Sequence, residues 1–149
     1  MSPQSPGDTG TSLRLQATPA DPQSPPAALE KPPLQIISPP IPVRRGQLVR
    51  IGGWVRVAEP ITASADGLLI YDSLGGPLLG QRFPGTDGWQ EFSFYRVAAT
   101  DSGLSLTIAL TGLGEAAVDD LSVSLHDPIA PQGGWDEARR LPPTGDWYR

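Results

Sequence analysis

The amino-acid sequence predicts an all-β fold, an antiparallel two-sheet sandwich. Three observations lead there. With 18 Pro and 17 Gly in 149 residues, a helix breaker or turn former falls every few positions, and long helices have little room. Apolar residues recur with period two in several segments, the spacing of half-buried strands. Turn signals separate about eight such segments, and sheets of that number must bury one face and close or protect their edges.

Taken in order, residues 1–10 and 18–33 are rich in Pro, Ser, Gln, Asp and Ala. Such composition cannot bury enough apolar surface to offset its ordering entropy, so a disordered tail and a long Pro-rich loop are expected. Between them Leu13 and Leu15 alternate with Ser12, Arg14 and Gln16, giving a first strand over 11–17. The run Leu34–Ser38 is closed by Pro39, Pro40 and Pro42, which cannot donate to a ladder and confine it to an edge or a strand end. Arg45-Gly46 makes a turn. From Gln47 to Val57 one parity holds Val49, Ile51, Val55 and Val57, and the other holds Leu48, Arg50, Gly52, Trp54 and Arg56. One face is core, and the other carries a Trp between two arginines.

Gly67–Ser73 and Pro77–Phe83 read as the two strands of a hairpin joined by Leu74-Gly75-Gly76. After the turn at Pro84–Gly88, Phe92 and Phe94 share a parity opposite to Glu91, Ser93 and Tyr95, so the phenylalanines are expected inside. Between Gly103 and Thr111, Leu104, Leu106, Ile108 and Leu110 alternate with Ser105, Thr107, Ala109 and Thr111. The last run, Ala116–Leu125, places Leu121, Val123 and Leu125 inward with Ser122 and Ser124 outward, and Asp127-Pro128 ends it. The domain is therefore expected over 11–126, with a disordered tail or linker over 127–149 that holds Trp135, Trp147 and Tyr148 but no period.

The formal charge of −5 offers no basic field for a phosphate backbone, so no nucleic-acid partner is expected. Cysteine is absent, which removes disulfides, thiolate nucleophiles and Cys-ligated zinc. No apolar run approaches the roughly 20 residues of a membrane helix, and no membrane insertion is expected. Residues 1–6 lack the basic and apolar regions of a signal peptide. Two readings follow, a cytoplasmic protein or a piece of a longer exported one. The second, with an extracellular or cell-surface location and the rest of a parent protein as partner, is preferred because the chain reads as beginning in mid-domain.

Four stretches in series carry a resemblance: Gly46-Gln47 leading to Trp54-Val55, then Gly88-Trp89-Gln90-Glu91-Phe92, then Leu104–Ile108, then Val118-Asp119-Asp120-Leu121-Ser122-Val123. Their order and spacing resemble the jelly-roll carbohydrate-binding modules related to the cellulose- and xylan-binding families, within the galactose-binding-like superfamily. The resemblance covers roughly residues 8–126. It implies a jelly-roll sandwich, a non-catalytic accessory role, a polysaccharide or other glycan as partner, and Trp89 as a structural residue closing one end of the core. Members normally begin with a further strand ahead of residues 11–17, which this sequence lacks, and the insertion over 18–33 is unusual and suggests a drift toward scaffolding.

Sugar binding needs a flat aromatic face for the apolar side of a pyranose and planar polar side chains for its hydroxyls. Trp54, Arg50, Arg56 and Tyr95 have that chemistry, and the spacing of Trp54 and the arginines puts them on one face. The bland alternative is Trp54 packed under a loop, such as the Pro-rich one, with solvated arginines beside it. Tyr71 and Asp72 precede the hairpin turn and could reach a cleft, though nothing in the sequence fixes their face. Asp119 shares the parity of Leu121, Val123 and Leu125, so a regular strand would aim its carboxylate into the core, where an unpaired charge is strongly disfavoured. Backbone N–H bonds are the default remedy. A β-bulge, or a structural calcium of the kind related modules often hold at this acidic pair, Asp119 and Asp120, are the others; calcium takes six to eight oxygens.

No catalytic constellation is evident. His126, the single histidine, ends the last strand with no nucleophile motif beside it. Glu91 and Glu115, the strand-associated glutamates, sit in no compact acidic motif of the kind a glycosidase pair requires. The Gly-rich stretches at 74–80 and 112–114 lack the Lys-Ser/Thr of a phosphate loop and read as turns. The sequence thus favours a glycan-binding module requiring no cofactor. A spacer or docking sandwich, with Trp54 covered by the chain's own arm, is the alternative.

Overall fold

A computed structural model describes residues 12–128, and the expectations for 1–10 and for the tail beyond 128 lie outside them. The strands are β1 (Leu13–Ala17), β2 (Leu34–Ile37), β3 (Ile41–Val43), β4 (Leu48–Arg56), β5 (Leu68–Asp72), β6 (Gln81–Phe83), β7 (Trp89–Val97), β8 (Ser102–Leu104), β9 (Leu106–Leu110) and β10 (Gly114–His126). They form an antiparallel sheet of order β1-β10-β4-β7, a second of order β2-β9-β5-β6, and a small pairing of β3 with β8. The first two sheets pack face to face as a β-sandwich. If β2–β3 and β8–β9 are each counted as one interrupted strand, the two orders are those of interlocked Greek keys, the jelly roll.

The interruptions have local causes. Pro39 and Pro40 break the first, and β2 lies at a sheet edge, where adjacent prolines remove few ladder bonds. Opposite them, the expected single strand over 103–111 breaks at Ser105. There two hydroxyls stand in for ladder carbonyls: the Ser105 amide donates to Ser73 Oγ and the Leu106 amide to Ser38 Oγ, each at 2.9 Å. The hairpin at β5–β6 forms in the register Leu68↔Phe83 and Ile70↔Gln81. Its second arm is shorter than expected, because Pro77–Leu79 coil into a 3₁₀ turn.

The interior is the one predicted by parity. Val49, Ile51, Val55 and Val57 are completely buried, and Phe92 and Phe94 join them. Phe92 stacks on Phe94 at 6.3 Å and meets Phe83 of the opposite sheet at 5.5 Å between centroids. Gly53, paired with Phe92, faces inward; a methyl there would sit 3.3 Å from the Phe92 ring. Leu13, at the free end of an edge strand, is 39% exposed rather than core.

Two further expectations are corrected. Thr107, Ala109 and Thr111 have the outward parity predicted for them but are buried. The outer face of their sheet is overlaid: Thr111 Oγ1 contacts Ser64 Oγ at 2.6 Å, and the Pro-rich loop, tied by the Leu29 amide to the Ala63 carbonyl at 3.0 Å, shares a cavity with Ala109 and Thr111. In β10 the inward residues before Asp119 are Ala116 and Val118, and after it Val123 faces the core opposite Ile51. One extra residue between Asp119↔Trp54 and Ser122↔Gly52 reverses the parity, a β-bulge with Asp120 at φ 52°. Leu121 lies in the bulge and is exposed instead of inward.

A charged pair joins the sheets. Arg96 continues the inward parity of Phe92 and Phe94, and its Nε donates to Asp72 Oδ1 at 2.9 Å. Asp72 is completely buried, and its other oxygen accepts the amides of Leu74 and Gly75 at 3.0 Å each. The guanidinium also donates to the carbonyls of Tyr95 and Leu79 and lies 4.9 Å from the Phe94 ring centroid. A side chain at Gly75 would collide with it, a Cβ there lying 2.4 Å from Nε. Every strong polar group of the pair is therefore occupied, the condition for tolerating a buried charge.

A second polar clamp holds the end of β10. The Arg44 amide donates to Gln47 Oε1 at 2.7 Å, and Gln47 Nε2 donates to Asp127 Oδ1 at 2.8 Å. The Gln47 side-chain amide first, and then the Arg44 guanidinium, which donates to the same Oδ1 at 3.1 Å, hold the Asp127 carboxyl below its ordinary value of 3.8.

Three outcomes follow. Asp72→Ala strands a buried guanidinium and should cost about 3–5 kcal/mol in urea unfolding; a loss within the ~0–1 kcal/mol of an exposed pair would refute the cross-sheet role. Asp120→Val should cost about 1–2 kcal/mol while Asp120→Gly is tolerated, since a β-branched residue resists positive φ; equal stabilities would count against the bulge. Because its folded-state pKa is depressed, Asp127 contributes stability above its unfolded value and loses it as pH falls through the folded one. An NMR acid titration should give Asp127 a midpoint below 3.8 that rises toward it in Gln47→Ala, and an unmoved midpoint would break the assignment.

Candidate functional site

Strand register decides which side chains share the outer face of the β1-β10-β4-β7 sheet, because directly paired residues project to the same side. Four cross-strand rows result. Arg14, Ala117, Arg56 and Trp89 form one; Asp119, Trp54 and Glu91 the next; Ser122, Gly52 and Ser93 the third; Ser124, Arg50 and Tyr95 the fourth. Trp54 thus stands on an inner strand with a carboxylate-bearing residue directly on either side. Paired Cβ atoms in such a sheet lie about 4.5–5.5 Å apart.

The third row is a shelf of small residues. A methyl at Gly52 would meet the Arg50 guanidinium at 3.1 Å, so the Arg50 side chain lies over Gly52 and leans along the strand toward Trp54. Trp54 and Arg50 are half-buried, and Tyr95 and Arg56 are exposed. Among the described residues neither Arg50 nor Arg56 pairs with a carboxylate.

Of the residues predicted for a site, Trp54, Arg50, Arg56 and Tyr95 are brought together. Tyr71 is not. It pairs with Thr107 on the outer side of the other sheet, half-buried, where it lines a cavity of about 340 Å³ with Leu29, Lys31, Gln35 and Ala109. Asp72, its neighbour, is spent in the core. Residues 29–32 of the Pro-rich loop lie with Tyr71, on the sheet opposite to Trp54.

Trp89 departs from its implied role. It pairs with Arg56 on the outer face and is half-buried, outside the hydrophobic cluster. It lines a cavity of about 310 Å³ with Ser12, Arg14, Arg56, Ala58 and Glu115. The parity of Glu91 and Tyr95, which Trp89 shares, was the signal for this position. Glu91 and Asp119 were missed as neighbours of Trp54, since pairing between strands distant in sequence is not written in either strand.

The bulge turns Asp119 outward, and its Oδ1 accepts the Asp120 amide at 2.8 Å. Among the described residues no group of three or more His, Asp or Glu stands together as a metal site. His126 is exposed and lies 3.3 Å from Ser124 Oγ.

No family model matches the chain, and no curated protein or solved structure shows detectable similarity to it.

Proposed function

We propose that this domain is a non-catalytic glycan-binding module whose ligand lies on the outer face of the β1-β10-β4-β7 sheet, with a sugar ring stacked on Trp54. The observation that carries this is the register around Trp54: Asp119 on one side, Glu91 on the other, and Arg50 folded over the Gly52 shelf toward it. An indole supplies the apolar surface a pyranose face requires. Carboxylates accept from sugar hydroxyls and a guanidinium donates to them in a fixed fork, so both halves of each hydroxyl's hydrogen-bonding capacity have partners beside the ring. Trp54 and Arg50 sit on β4, which is paired on both sides, and this limits the ordering cost of binding.

Titration of the intact chain with soluble xylan, β-glucan and polygalacturonate, followed by tryptophan fluorescence and calorimetry, tests the reading. At least one should bind. Trp54→Ala should then lower its affinity more than about tenfold, the loss expected of a central aromatic anchor, with little change in the unfolding midpoint. If none binds, or if Trp54→Ala alters stability and leaves binding intact, the glycan reading fails and a spacer or docking sandwich takes its place.

A further inference from the structure

The cavity beside Trp89 adjoins the Trp54 row and has a chemistry of its own. Its walls come from one cross-strand row, Arg14, Ala117, Arg56 and Trp89, so Ala117 lies between the two arginines and Trp89 stands next to Arg56. Arg14 is engaged by Glu115 through both its Nε and a terminal nitrogen. Arg56 is different. It is exposed, lines the same cavity, and has no carboxylate partner among the described residues. Two arginines against one glutamate make this corner locally positive in a chain of formal charge −5.

We propose that this cavity is a second subsite of the glycan face, that it takes an acidic sugar unit, and that Arg56 binds the unit's carboxylate while Trp89 stacks on its ring. This inference rests on the glycan reading of the Trp54 face. A guanidinium with a free fork matches a carboxylate in two parallel hydrogen bonds, which a neutral sugar cannot supply. Trp54 pairs with Glu91 and Trp89 with Arg56, so the two indoles are diagonal neighbours on adjacent strands, about 7–8 Å apart at their Cα atoms. Linked sugar rings can therefore occupy both at once. Glu91 and Asp119 pair directly with Trp54 whereas Arg56 pairs directly with Trp89, which assigns the neutral unit to Trp54 and the acidic one to Trp89. The ligand class is then a polysaccharide containing uronic acid.

The test compares polygalacturonate, neutral β-glucan and dextran sulfate on the intact wild-type chain, Arg56→Gln and Trp89→Ala, with circular dichroism as a check of fold. The wild type should bind polygalacturonate more tightly than β-glucan, with an affinity that falls as salt rises. Arg56→Gln should weaken polygalacturonate about tenfold, the worth of a charge-assisted hydrogen bond, and leave β-glucan unchanged. Trp89→Ala should weaken polygalacturonate likewise. Equal loss of both glycans in Arg56→Gln, undiminished polygalacturonate binding, or binding of β-glucan alone would overturn the acidic subsite while sparing the Trp54 site. Binding of dextran sulfate in preference to polygalacturonate would overturn the carboxylate assignment. Failure of all three polymers to bind would overturn the acidic subsite, and failure of xylan as well would remove the glycan reading itself.

Discussion

One extra residue in the longest strand governs both sides of the sheet that carries the candidate site. The β10 strand runs 13 residues and pairs with β1 and β4. Its first half buries Ala116 and Val118, of even parity, and its second half turns Val123, of odd parity, toward Ile51. A regular strand cannot satisfy both, since side chains alternate strictly and a change of parity requires an inserted residue. The bulge between Asp119 and Ser122 supplies it, with Asp120 taking the left-handed conformation. Aspartate tolerates that conformation better than most residues, because its short polar side chain can hydrogen-bond locally. The same step moves the Asp119 carboxylate out of the core and sets it beside Trp54, so the irregularity that closes the interior also equips the outer face.

The edge strand β7 poses a different problem. It contributes Trp89, Glu91, Ser93 and Tyr95 to the outer face but has ladder bonds on one side alone. Strand edges are the least restrained parts of a sheet, and a recognition face built partly on one needs another anchor. Arg96 provides it from beneath, reaching between the sheets to Asp72 and to the carbonyl of Leu79. Replacing such a pair with apolar residues is often neutral for stability, so its value lies in orientation as much as in energy. It fixes β7 against the β5 turn, and Gly75 leaves the guanidinium room to lie flat there.

Most of the fold was legible because period-two alternation is a local property. Val49 to Val57, Phe92 and Phe94, and Leu106 to Leu110 each declare an inner face without reference to any other strand. The bulge was half legible: Asp119 at an inward parity signalled that something in β10 had to give, and a bulge was among the remedies considered. Register is where the sequence fell silent. Nothing in β4 says that Trp54 will stand opposite Glu91 and Asp119, because those pairings depend on how three strands distant in the chain slide past one another. Tyr71 could not be assigned for the same reason, its local parity being clear only once its sheet is known. Trp89 was misplaced for another reason, since the resemblance assigned it to the core while its own parity pointed outward. Arg96 shares the parity of two phenylalanines, but its partner Asp72 lies on the other sheet, and that pairing is not written in either strand.

The two outer faces differ in a way that gives the Pro-rich loop a physical role. On the β2-β9-β5-β6 sheet the outward residues of β9, Thr107, Ala109 and Thr111, are small, and chain from 29–32 and 64–66 lies against them. Small residues offer little to a ligand but allow close packing of a proline-stiffened segment, whose restricted unfolded state lowers the cost of ordering it. On the other sheet the outward positions hold Trp54, Trp89, Arg50, Arg56 and Tyr95, large side chains with polar atoms unspent among the described residues. The outward residues of β9 are small enough for the chain itself to lie over them, whereas covering the other face in the same way would bury unpaired charge.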